Sequence, residues 1–179
     1  NENLLERLAE DDTPDTVKVF NLLKSIQQMV DETVNQAPYL LSIGERAEAI
    51  VQAYQFRQQG TQMTLQALEE IIREINQAER ERAAMNLKPA AFAVYWLLKR
   101  EDFQASESIA REMETTFEEY PYWQSSSHQE RDVRRDLYSV LLRDRAKAKR
   151  EGRSTKETNE LTELVEQIMK AAGRAGNGM

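Results

Sequence analysis

The sequence predicts an all-α protein: a compact, largely antiparallel helical bundle of about seven helices. Three observations predict it. Glycine and proline are scarce, 6 and 4 in 179 residues, so few positions break a helix. Glu, Gln, Ala, Leu and Arg, all good helix formers, recur throughout. Apolar residues return three and four positions apart, and no stretch alternates as a half-buried strand would. Short connections favour antiparallel neighbours. We expect a single domain over 1–179, with a candidate subdivision near 86–90.

The first helix is expected in "TPDTVKVFNLLKSIQQMVDETV". Thr13 suits its N-cap and Pro14 its first turn. Val19, Leu22, Leu23, Ile26 and Val30 form its apolar stripe, and Pro38 breaks the pattern. "SIGERAEAIVQAYQFRQQG" restarts it. Ser42 and Glu45 have capping-box spacing, Ile43, Ala47, Ile50, Val51 and Tyr54 share a face, and Gly60 reads as the stop. A third helix from about Thr64 uses Leu65, Leu68, Ile71, Ile72 and Ile75, then fades into the charged "QAERERAAMN".

Pro89 opens "KPAAFAVYWLLKRE". Phe92, Val94, Tyr95, Trp96, Leu97 and Leu98 make it apolar nearly all round, so it should be the most buried helix. The next carries Ile109, Met113 and Phe117 and must end before Pro121. Ser127 and Glu130 read as a capping box for a helix with Val133, Leu137, Val140 and Leu141 inward, fraying into "RDRAKAKREGR". Ser154 and Glu157 suit the cap of a last helix with Leu161, Leu164, Val165 and Ile168 inward. "GRAGNGM" reads as a loose tail. Core candidates are Phe92, Tyr95, Trp96, Ile109, Met113, Phe117, Trp123, Leu137 and Leu141.

There is no cysteine, which excludes disulfides, thiolate zinc sites and a cysteine nucleophile. No apolar run approaches the roughly 18 residues a membrane span needs. "NENLLERLAEDD" does not read as a signal peptide, and a reducing, cytoplasmic setting is compatible. The first residue is Asn rather than Met, so we read the chain as a piece of something longer or as a processed form.

Chemistry is sparse. No glycine cluster precedes a Lys and Ser/Thr as a P-loop requires. Pro14-Asp15 has half of a metal-nuclease pattern, but no lysine follows an acid at two residues' distance, and a helix start explains the pair better. His128 is the only histidine, so a two-histidine zinc site is excluded. Ser125, Ser126 and Ser127 beside it read as capping residues rather than as part of a triad. Glu69/Glu70 and Glu118/Glu119 read as solvated helix faces. Tyr95, Trp96, Tyr120, Tyr122 and Trp123 could stack bases. The plainer reading puts Trp96 in the core and has Tyr122 and Trp123 staple the Pro121 corner. No catalytic, cofactor-binding or metal-ligating residue is assigned.

The net charge of −7 argues against a general nucleic-acid binder. Charge is uneven, however. Residues 131–153 hold nine Lys/Arg against four Asp/Glu, a local +5 that leaves −12 for the rest. Arg143, Arg145, Lys147, Lys149, Arg150 and Arg153 are the candidates for contact with a partner or with DNA. They could meet an acidic protein surface or phosphate. A merely solvated helix end is the plain alternative.

The order of segments resembles a known family. "DDTPDTVKVFNLLKSIQ", "IGERAEAIVQAYQFRQQGTQMTLQALEEII", "FAVYWLLKRE", "FEEYPYWQSSSHQERDVRRDLYSVLL" and "LVEQIMKAA" look like the C-terminal helical region of the restriction (R) subunit of type I restriction–modification enzymes. The likeness spans roughly Asp11 to Ala172. It implies a role in assembly: docking an ATP-dependent, DNA-translocating and DNA-cleaving subunit onto the methyltransferase–specificity core, in defence against foreign DNA. The implied partners are the methyltransferase and specificity subunits, with DNA reached through the complex and no membrane. ATP and Mg are implied for other domains of the parent, a site-specific deoxyribonuclease. No cofactor and no enzymatic activity are implied for this piece. The alternative is an auxiliary DNA-binding domain using the basic segment 143–153.

Overall fold

A computed structural model describes residues 12–33, 37 and 39–174. Among these residues there are seven helices and no strand: α1 (Asp15–Thr33), α2 (Leu40–Gln55), α3 (Thr61–Met85), α4 (Pro89–Arg100), α5 (Ser106–Glu119), α6 (Ser127–Arg150) and α7 (Thr158–Arg174). They form two units. The first holds α1 to α3 and the second Tyr39 with α4 to α7, the chain passing between them at Asn86 and Leu87.

In the first unit each helix packs on the other two. The order is up-down-up. Val30, late in α1, lies against Gly44, early in α2, whereas the starts of α1 and α3 meet through Asp15 and Gln62. The core is aliphatic: Val19, Leu22 and Ile26 from α1, Ile43, Ala47 and Val51 from α2, Leu68, Ile71, Ile72 and Ile75 from α3 are all at most 2% exposed. Gly44 is what lets α1 and α2 close up. A Cβ there would stand 3.2 Å from Val30 Cγ2, tighter than an ordinary contact, and this offsets the roughly 1 kcal/mol that a glycine costs inside a helix.

In the second unit α4, α5, α6 and α7 form a ring in which each packs on the next and α7 returns to α4. Neighbours are antiparallel. Lys88 ahead of α4 reaches Glu118 at the end of α5. Glu112 of α5 holds Arg143, late in α6, and Arg145 of α6 meets Thr158, the first residue of α7. The core is aromatic. Phe92 packs edge-on against Tyr39 at 5.1 Å and stacks with Trp96 at 6.3 Å, and all three are 0–4% exposed. Ala91, Phe92, Ala93, Val94, Trp96, Leu97 and Leu98 are buried, as the nearly all-round apolar pattern of α4 requires.

Several boundaries differ from the sequence reading. Pro14 precedes α1, its carbonyl accepting from the N–H groups of Val17 and Lys18, so it takes the N-cap place expected for Thr13. α2 starts at Leu40, two residues before the expected Ser42 cap, because Tyr39 and Leu40 are both buried and draw the start back. The expected break at Pro38 lies outside the described residues. Gly60 does not stop α2. It is the extended N-cap of α3, which therefore starts at Thr61. α2 ends instead at Gln55, closed by Arg57, left-handed at φ 56. The Gln58 N–H donates to the Ala53 carbonyl and the Arg57 N–H to that of Tyr54, the paired bonds of a Schellman end.

The cap of α6 is Ser126, whose Oγ accepts from the Gln129 N–H, one residue before the expected Ser127. Gln129 reaches back to the Tyr122 N–H at 2.8 Å. α7 begins at Thr158, four residues after the expected Ser154 cap. There the Glu160 carboxylate accepts from the Glu157 N–H at 2.6 Å, while Lys156 is drawn to Glu101. Nor is "GR" at 173–174 tail. Both residues complete α7, and residues 175–179 lie outside the description.

Candidate functional site

The basic segment sits in the last two turns of α6 and the loop beyond it. It does not fray. α6 is helical to Arg150. Gly152 at φ 69 then closes it, with the Arg153 N–H donating to the Ala148 carbonyl and the Gly152 N–H to that of Lys149. Leu141 and Ala148 are buried, so this part of the helix has an inner face, and the lysines and arginines divide around it.

Arg145 shares that inner face, one turn after Leu141. Its side chain is only 15% exposed, which corrects the expectation of an exposed contact residue. Nη1 donates to Thr158 Oγ1 at 2.9 Å, Nη2 lies 3.6 Å from the Glu157 carboxylate, and Nε is buried without an acceptor. Arg145 thus ties α6 to the start of α7. Arg153 is also largely covered and pairs with Glu151 at 2.8 Å.

The outward residues are Arg143, Lys147, Lys149 and Arg150. Positions 143, 147 and 150 fall on one face of the helix, and Lys149 projects from a neighbouring one. Arg143 bonds Glu112 of α5. Lys147 lies 4.0 Å from Glu151, and Arg150 Nε bonds the Ala146 carbonyl. Two of the three cations in the arc are therefore already balanced by carboxylates. Behind them lies a notch of about 60 Å³ lined by Arg145, Arg153 and Lys156 but equally by Glu101, Asp102 and Asp144. Its charges cancel, so it has no pull on an anion.

The other chemical candidates resolve into structure. His128 is exposed, with Nδ1 3.0 Å from Asp132. Ser125 donates to the Tyr122 carbonyl and Ser126 caps α6, so these two serines are occupied locally. Glu69 holds Arg73, Glu118 holds Lys88, and the Asp15 carboxylate accepts from Gln62. The hydrogen bond to Glu118, then its charge, raises the pKa of the Lys88 amino group. Trp123 is 5% exposed and stacks on Phe117 at 5.1 Å. Tyr122 is 67% exposed. Trp123 alone staples the corner, because the turn points Tyr122 outward. Among the described residues no group of three or more His, Asp or Glu could hold a metal ion, and no helix is long and apolar enough to cross a membrane.

Exposed apolar side chains were missed by the sequence reading. Where α2 ends and α3 begins, Phe56 is 74% exposed and Met63 64%, and on α1 Phe20 is 46% and Val17 43% exposed. Phe20 packs edge-on against Tyr54 at 6.3 Å, and both line an open depression of about 520 Å³ with residues 57–61. A signal existed: residues 49–68 contain one charged side chain, Arg57, in a protein 31% charged. Comparison with known proteins finds no match for this chain, whether among family models, curated proteins or solved structures.

Proposed function

We propose that the chain is a subunit-assembly module of a type I restriction enzyme. It would hold the ATP-driven, DNA-translocating and DNA-cleaving subunit to the methyltransferase–specificity core. The reading rests first on the resemblance of the quoted segments. The observation that supports a docking face is the arc of Arg143, Lys147 and Arg150 on an ordered helix, tied to α5 through Glu112 and to α7 through Arg145. A face fixed in this way loses little conformational freedom when a partner binds. An acidic partner surface could take over from Glu112 and Glu151 as counter-charge. In this reading the chain contributes no catalysis, and its setting is the cytoplasm.

Calorimetry of the chain against the purified methyltransferase–specificity core is the direct test. Binding is expected, and reversing the charges at Arg143, Lys147 and Arg150 together should weaken it by about ten-fold or more. A folded chain that does not bind the core would end this reading. The second reading, direct DNA binding through 143–153, draws on the same arc. It predicts an affinity for duplex DNA that falls steeply with salt. Glu112 and Glu151 make it the weaker of the two, since phosphate would have to displace carboxylates already in place. Absence of any DNA complex at low salt would end it.

A further inference from the structure

We infer that Tyr39 is a noncovalent staple: its ring, seated in the aromatic core of the second unit, closes the stretch 40–86 into a loop and makes the stability of the first unit depend on that core. Ala37 and Tyr39 belong to the second unit, although Leu40, next in the chain, opens α2 of the first. The chain comes back to the second unit at Leu87. All of α2 and α3 is therefore an excursion that starts and finishes on the second unit.

Both ends of the excursion are held. At its start Ala37 and Tyr39 are buried, and the Tyr39 ring meets Phe92 at 5.1 Å and Trp96 at 5.8 Å. At its return Leu87 is buried, and the Lys88 N–H donates to the Glu114 carboxylate of α5 at 2.7 Å. The two anchorages are one helical turn apart, since the Phe92 N–H donates to the Lys88 carbonyl. A chain fastened at two neighbouring points has fewer open conformations to gain by unfolding, which is how a disulfide stabilises in the chain-entropy account. This protein has no cysteine, and here the fastening is a ring in a core. It differs from a disulfide in being conditional, because it holds only while the second unit is folded around Tyr39. A partner that steadies the second unit therefore steadies the first by linkage. The inference stands independently of the assembly reading.

Amide hydrogen exchange of the 179-residue chain tests it, because exchange reads each unit by its own amides. Tyr39→Ala should speed exchange of the α3 core amides, residues 68–75, by at least about ten-fold. Phe92→Ala, a change confined to the second unit, should do the same. The double variant should exchange α3 within about two-fold of the faster single variant, since both remove one staple. Tyr39→Phe keeps the ring and should leave α3 at its original rate. Phe92→Leu trims the same contact less severely, and if an alanine variant does not fold it should still speed α3 in the same direction. An α3 indifferent to both Phe92 variants would overturn the inference. So would two single effects that multiply in the double variant, or a Tyr39→Phe chain that exchanges as fast as Tyr39→Ala.

Discussion

The two units solve the same problem with different residues. The first buries aliphatic side chains and leaves its aromatics Phe20 and Phe56 outside. The second buries Tyr39, Phe92, Trp96 and Trp123 and fastens its helices to each other with ions: Lys88 to Glu118, Arg143 to Glu112, Arg134 to Glu166 and Lys156 to Glu101. In the first unit α2 and α3 are joined by Arg46 and Glu74, with both Nη atoms on the carboxylate. The contrast teaches where to look for partners. Charge on the second unit is largely answered internally, so its cations are weaker evidence of a binding face than their number suggests. Apolar surface on the first is unanswered, and that is the costlier state in water.

The contrast can be broken most directly at Trp96. Trp96→Ala should cost about 3–5 kcal/mol, read by urea unfolding of the second unit through the fluorescence of Trp123. Both tryptophans lie in that unit, so the signal is specific to it. A loss under about 1 kcal/mol would mean that the aromatic cluster is not what holds the unit. In the first unit the matching change is Gly44→Val, which places atoms against Val30 and should cost about 1–3 kcal/mol by overpacking. Helix content followed by circular dichroism would show it, and an unchanged melt would remove Gly44 as the close-approach point.

A smaller effect separates the two kinds of arginine. Arg145→Ala removes a largely buried stem and the bond to Thr158 and should cost about 1–2 kcal/mol. Arg143→Ala breaks an exposed pair and should cost under about 1 kcal/mol. Equal losses would erase the distinction between inner and outer faces of α6. The smallest effect is with pH. The hydrogen bond to Glu101 raises the Lys156 pKa above its ordinary 10.5, against the lowering effect of burial and with help from the charges of Glu101, Glu160 and Asp102. A raised folded pKa means that the tie contributes fully below 10.5 and is lost as pH climbs through the higher folded value. The second unit should therefore soften above pH 10.5. Stability of the second unit, read by tryptophan fluorescence, that stays flat across that range would contradict this.

Helix number, helix faces and most core residues were legible in the sequence, because the apolar period survives whatever the helices pack against; Tyr39, buried but ahead of any helical stripe, was not, and Tyr95 and Phe117 are only half-buried. Helix ends were less so. Of three Schellman ends, at Arg57, Asp102 and Gly152, one uses the glycine that sequence reading looks for. At the other two the 6→1 bonds, Gln58 to Ala53 and Phe103 to Leu98, hold Arg57 and Asp102 at positive φ, a conformation that Asp visits occasionally and Arg seldom. Runs of candidate caps such as Ser125–Ser127 leave the choice to the turn before them. The basic segment was legible as a charge excess but not as two faces. Which cations are spent internally depends on Glu112, Glu157 and Thr158, which come from other helices.

The ring of the second unit has a consequence for the order in which the protein can be made. α4 is apolar on nearly every side, yet the helix that closes the ring on it, α7, ends 74 residues after Arg100. At synthesis rates of about 5–20 residues per second, α4 waits roughly 4–15 s for its last neighbour. During that interval the stickiest helix of the chain stands partly uncovered, a natural client for a chaperone. A chain ended after Glu157 should hold it in that state, and uptake of a hydrophobic dye would report it.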